Sequence, residues 1–329
     1  MIGPLMGKAA TTAVIGVIFS ALMFGMLGIC TRYFQKDCGL SSSDVVVIRL
    51  TVSGLGLLIM LALFAREHMK IRKKDIPFML IFGLFKFLTD VTFFFAQGAA
   101  SLCLATLLQM TAPYFVMILS LVIFRERITM PKLIAMCVGS MGCVLVTDIL
   151  FGEVNASTEG ILAAIFSGLC ISMFFIGNRM AIDRDIRPTT MLLYTTLFAD
   201  LIALPFALTH GESFSVIMNP KGIGIALAFG LLMTLIPYYL LTWSSLHIEP
   251  TVISMISVLE VGAAAVVGFL VFNEDLTIFH ILGIALVILS IILINIKLRL
   301  DYIKRYGKYI SPLVKFGMAP IKLLMPEQK

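Results

Sequence analysis

Ile18-Phe19-Ser20-Ala21-Leu22 recurs as Ile165-Phe166-Ser167-Gly168-Leu169, 147 residues further on. The match continues beyond that phrase. Met26, Ile29 and Arg32 correspond to Met173, Ile176 and Arg179 at the same offset. Near the other end, Phe124-Arg125-Glu126 corresponds to Phe272-Asn273-Glu274 at an offset of 148. One offset that holds across half the chain predicts an internal duplication, with one unit over residues 1–150 and a second over 151–298.

The composition says what each unit is made of. Sixty per cent of the 329 residues are hydrophobic, 13% are charged, and the mean hydropathy is +1.03. A soluble domain carries about a quarter charged residues. No soluble fold buries this much apolar surface, so the bilayer must serve as part of the solvent. A helix needs about 20 mainly apolar residues to cross it. Ten stretches qualify: 11–32, 44–64, 76–97, 101–124, 130–150, 158–182, 188–209, 222–246, 250–272 and 276–297. The joints carry charges or breakers, such as Lys73-Lys74-Asp75 and Asn219-Pro220-Lys221. The expected fold is an all-α membrane protein of ten transmembrane helices. Five spans per unit is an odd number, so the second unit is inverted relative to the first. Inverted repeats characterise secondary transporters, whose site lies near the midplane where the copies meet.

Lys and Arg set the direction. With both termini cytoplasmic, the inner stretches hold 20 of the 25 basic residues and the outer loops hold only Arg32, Lys36 and Lys221. The net charge of +6 therefore reads as topology rather than nucleic-acid binding. The expected location is the cell membrane, multi-pass. The run 13–30 is long enough to span and has no Ala-x-Ala-type exit, so no cleavable signal is expected. Residues 299–329 form a basic cytoplasmic tail in which Pro312 and Pro320 interrupt any long helix. Five of the six Cys lie in apolar runs and read as small hydrophobes. No metal-ligand spacing and no cofactor motif is present, so neither is expected. The Asn155-Ala156-Ser157 sequon matters only in a cell that glycosylates it.

The few charges at bilayer depth carry the functional reading, since each costs about 2.5–3.5 kcal/mol on insertion scales. Lys86 and Asp90 are four apart in the third span and share a helix face. They read either as a self-neutralising pair or as an anion-binding Lys oriented by Asp90. Asp200 in the seventh span and Glu260 in the ninth have no partner on their own helices. Each reads as an acid packed between helices or as a proton or cation site. Arg49, nearer the end of the second span, reads as a snorkelling side chain or as a gate residue. Gln109, Thr111 and Tyr114 beside Pro113, together with Tyr194 and Tyr238, Tyr239 and Trp243 after Pro237, are pocket candidates, because a mid-span Pro frees carbonyls that can line a cavity. Phe93-Phe94-Phe95 must face several directions, lipid included. Ala135, Gly139 and Cys143 form a small-residue stripe for close helix packing. His247 is expected at the inner interface.

Ala96-Gln97-Gly98-Ala99-Ala100, Pro113, Glu126-Arg127 and Gly142 in the first unit resemble the EamA-type branch of the drug/metabolite transporter superfamily. Tyr238, Trp243 to Leu246, Leu259-Glu260, Glu274 and Gly283 carry the resemblance in the second, over about residues 12–297. Two departures stand out. Val261 replaces the Pro that follows Leu-Glu in the family, so a kink is expected to be absent, and Ala135 replaces a Gly. The resemblance implies a carrier, often an exporter of amino acids or related metabolites, with Glu260 at a family position. The expected partners are a small-molecule substrate, the lipid bilayer, and a proton or exchanged solute. The oligomeric state is left open. The competing readings are an intramembrane enzyme and a non-transporting membrane protein on the same fold. No His-Glu-x-x-His or Gly-x-Ser-x-Gly motif supports the enzyme.

Overall fold

A computed structural model describes residues 8–99, 102–126, 128–147, 157–208, 219–272 and 277–294. The basic tail and the sequon's Asn155 and Ala156 lie outside them. The described residues form helices and no strand. In chain order these are α1 (Ala9–Asp37), α2 (Ser42–Phe64), α3 (Ile76–Ala99), α4 (Leu102–Gln109 and Ala112–Phe124), α5 (Met130–Val146) and α6 (Thr158–Asp183). They continue as α7 (Pro188–Leu208), α8 (Pro220–Ser244), α9 (Pro250–Ser257 and Leu259–Phe272) and α10 (Ile278–Ile294). Seven are long and apolar enough to cross a membrane, while α5 and α10 are shorter apolar helices.

Helix starts follow local chemistry. Ser41 and Asp44 form a reciprocal capping box at α2, where the Asp44 carboxylate accepts from Ser41 N–H at 3.0 Å. The Ser157 hydroxyl accepts from Gly160 N–H at 3.0 Å, and the Asn219 side chain accepts from Gly222 N–H at 2.6 Å. Pro188, Pro220 and Pro250 open their helices, where a missing N–H costs nothing.

Two helices are interrupted at positions 148 residues apart. α4 breaks at Met110-Thr111 and α9 at Val258. The second break corrects the expectation that α9, lacking the family Pro, would run unkinked. Val261 N–H bonds to Val258 O at 3.2 Å, a tightened turn that needs no proline. In α8 the chain widens to a π-helix over Ala228–Leu235 before Pro237, and the Thr234 hydroxyl bonds to Phe229 O at 2.7 Å across that wide turn.

α1 packs on α8 and α9, α6 packs on α3 and α4, and α2 packs on α7. The duplicated phrase sits at two of these contacts. Ser20 donates to Pro237 O at 3.0 Å, and Ser167 donates to Thr89 O at 3.0 Å. Donors and acceptors are thus related by the same 147–148 residue offset. The small-residue stripe also packs as expected. Ala135 and Cys143 are buried, and Gly139 lies against Ser290 on α10. Phe93 and Phe94 are buried while Phe95 is 46% exposed on the apolar outside.

Candidate functional site

One end of the bundle is cross-tied by hydrogen bonds and ion pairs. At the α2–α3 and α6–α7 junctions, Arg72 donates to Arg184 O, Thr190 to His68 O, and Tyr194 to Met69 O. At the same end, α4, α5 and α9 meet in a clasp. Lys132 donates to Glu249 at 2.6 Å and lies 3.9 Å from Glu126, while Thr251 donates to Glu126 at 3.2 Å. The backbone aims Glu126 there. Arg125 takes the left-handed conformation, φ 55°, which lets Glu126 N–H close back on Ser120 O at 3.2 Å. Sequence reading missed this clasp as a unit. Glu126 was visible as a family position, but nothing in the chain announces that Glu249, more than a hundred residues away, meets Lys132.

Burial, and then the Glu249 carboxylate, hold Glu126 above the usual carboxylate range, against the opposing pull of Lys132, Thr251 and Arg179. The folded state therefore binds the Glu126 proton more tightly than the unfolded chain does. Its contribution to stability is greatest at low pH and declines as pH rises through the raised value. Melting of the solubilised protein between about pH 4 and pH 7 tests this, starting from the ordinary carboxylate value. Glu126→Gln removes that part of the decline; an unchanged profile rules it out.

Towards the opposite end lie two cavities of about 100 and 60 Å³ that share Phe24, Leu27, Phe93 and Glu260. The larger reaches Gln97, Thr147 and His280, at helix ends remote from the clasp. The smaller is walled by Arg49, Asp90, Gln109, Tyr238, Ser257 and Glu260, among others. Five of the sequence candidates therefore converge on one space, and they come from α2, α3, α4, α8 and α9.

The charge pairing differs from the expected one. Asp90 pairs with Arg49, not with Lys86: Arg49 Nη1 lies 3.0 Å from Asp90 Oδ1, and the two residues are 3% and 2% exposed. Arg49 also donates from Nε to Thr234 at 3.1 Å, so it is no snorkelling residue. The rings of Phe94, Phe229 and Tyr238 lie within 5.8–6.0 Å of its guanidinium carbon. A planar guanidinium suits such ring-walled ion pairing better than an ammonium does. Lys86, 2% exposed, instead rests its Nζ 3.3 Å from the Tyr238 ring centre and 5.5 Å from that of Phe174. The Lys86 Nζ and Asp90 Oδ2 atoms have no hydrogen-bond partner among the described residues.

Tyr238 is held edge-on by Phe24 and Phe174, at 5.1 and 5.0 Å between ring centres. Gln109 donates to Ser167 at 2.7 Å and so links the α4 break to the duplicated serine. Asp200 is not part of this site. It accepts from Thr51 at 2.7 Å between α7 and α2, the packed-acid arrangement. Thr111 is spent on Leu108 O, and Tyr114 bonds to Ser140 at 2.7 Å. Tyr194 belongs to the tied end, Tyr239 is exposed, and Trp243 stacks on an exposed His247 at 4.6 Å.

A helical membrane protein with ion-paired side chains buried around an internal cavity is the architecture of a solute-handling protein rather than of a passive anchor. The chain belongs to the EamA-like transporter family, whose model matches residues 11–148 and again 158–296. It is 24% identical to an uncharacterized transporter of Archaeoglobus fulgidus, over 84% of this chain and 94% of that one. It is 24% identical to an S-adenosylmethionine uptake transporter of Rickettsia conorii (71% and 76% covered) and 22% to the pseudopaline exporter CntI of Pseudomonas aeruginosa (86% and 96%). A crystal structure superposes with a TM-score of 0.71 at 13% identity, covering 86% of this chain and 96% of the other, and so supports the fold. The relatives are named as transporters, which agrees with the non-enzyme expectation.

Proposed function

We propose that the chain is a secondary carrier that moves a small polar metabolite across the cell membrane by alternating access. Ten helices form two inverted five-helix repeats, residues 1–150 and 151–298, and both termini lie in the cytoplasm. The two family matches, the breaks at 110–111 and 258, and the mirrored contacts of Ser20 and Ser167 support the duplication. The basic residues Arg66, Lys70, Arg72, Lys132, Arg184 and Arg187 gather at the tied end, which supports a cytoplasmic placement for it. The cavities then face outward.

The observation that carries the reading is a buried, charged cavity closed at one end by ion pairs and reaching toward the other. Exchange of access requires the clasp of Glu126, Lys132 and Glu249 to open as the opposite end closes. One relative is named for uptake and another for export, so the direction of flux is this chain's own property. Purified protein in lipid vesicles is expected to speed the entry of at least one solute from a metabolite panel over empty vesicles. No acceleration for any solute removes the carrier reading. Glu260→Gln is expected to abolish proton-driven uptake without loss of insertion; an unaltered pH dependence removes Glu260 from coupling.

A further inference from the structure

We infer that the cavity selects a positively charged organic solute, an amine or related ammonium with an apolar body, held by Glu260. The inference rests on the carrier reading for where the solute goes and on the cavity's own chemistry for what it is.

The argument starts from the charges that face the space. Arg49 and Asp90 both wall the smaller cavity, and they neutralise each other at 3.0 Å. Glu260 walls both cavities. The Arg49 guanidinium acts on it across the cavity, but no hydrogen bond or ion pair closes on it among the described residues. It lies deep in the bundle yet keeps accessible surface, because that surface is the cavity's. Asp90 presents a second acceptor: its Oδ2 has no partner among the described residues, and the residue is 2% exposed.

The remaining nearby cation is Lys86. It lines neither cavity, and its Nζ lies against the ring of Tyr238, which does line one. His280, at the larger cavity's far edge, is hydrogen-bonded to Thr277. Among the described residues, the charges presented to the space are therefore one matched pair and one carboxylate, Glu260, whose nearby cation, Arg49, is already bound by Asp90. A charged carboxylate at this depth is costly unless a cation or a proton joins it.

The walls suit the rest of such a molecule. Phe24, Phe93 and Glu260 are common to both cavities, and Tyr238 and Phe175 complete the smaller one. Aromatic faces attract an ammonium and pack against an apolar body. Gln109, Ser254 and Ser257 add neutral polar groups that can bond to N–H donors. An anionic solute would meet the Glu260 carboxylate and would compete with Asp90 for Arg49.

Three probes of nearly equal shape separate the cases: benzylammonium, benzyl alcohol and benzoate. Their binding to the full-length solubilised protein is measured by calorimetry near neutral pH. Benzylammonium is expected to bind at least about tenfold more tightly than either of the others, a single matched charge. Glu260→Gln is expected to erase that preference. Benzoate binding as tightly as benzylammonium overturns the inference, and so does an undiminished amine preference in Glu260→Gln. The three-probe comparison on the unaltered protein stands even if the variant fails to fold. Uptake of anions alone by wild-type vesicles sinks the cation inference and leaves the carrier reading intact. Amine binding without uptake of any solute does the reverse.

Discussion

Arg49→Met is expected to destabilise the protein by about 3–5 kcal/mol, the cost of leaving one member of a buried ion pair without its partner. Asp90, 2% exposed, would lose the guanidinium 3.0 Å away. Thr234 would lose the Nε donor at 3.1 Å in the π-helical turn of α8. The double change Arg49→Met with Asp90→Leu removes the orphaned charge as well, so it is expected to recover most of the loss. Melting of the purified protein under one detergent condition reads both. If the single change melts with the wild type, the pair does not organise the site. If the double change is no better than the single one, the loss came from packing rather than from charge.

The second large effect lies where α5 crosses α10. A Cβ placed on Gly142 would stand 2.7 Å from Gly283 O and 2.9 Å from Val287 N. A Cβ on Gly283 would stand 2.6 Å from Gly142 O. Both obstacles are backbone, so no side-chain rotation relieves them and the helices must separate. Gly142→Val is expected to cost at least the roughly 1–3 kcal/mol typical of overpacking. Gly262→Ala is the control. Its Cβ would meet nothing nearer than Ile284 Cγ1 at 3.5 Å, an ordinary contact, and should leave the melting temperature in place. A Gly142 variant as stable as the control would mean that α5 and α10 are not locked together at this crossing.

Much of the architecture was legible because the bilayer imposes a simple rule. An apolar run must hydrogen-bond its own backbone, so it becomes a helix, and its length can be counted. The duplicated phrase around Ser20 and Ser167 was legible for the same reason: matched positions repeat matched packing. Five of the charged or polar candidates line one cavity, and they stand out in the sequence because a polar side chain at depth contrasts with an apolar background. Asp200 shows the limit of that signal, since an acid between helices can be satisfied by one threonine.

The sequence alone determined that the chain is a membrane helical protein with an internal repeat and a small set of buried polar groups. It did so because hydrophobic length and periodicity are local properties. Partner choice was decided by the tertiary structure. Asp90 lies one helical turn from Lys86 yet pairs with Arg49, 41 residues away, while Lys86 rests on the Tyr238 ring. The clasp of Glu126, Lys132 and Glu249 likewise joins three helices that no spacing connects. In a medium without water, each charge must take the partner that interhelical packing places nearest, and that placement is written in no short stretch of the chain.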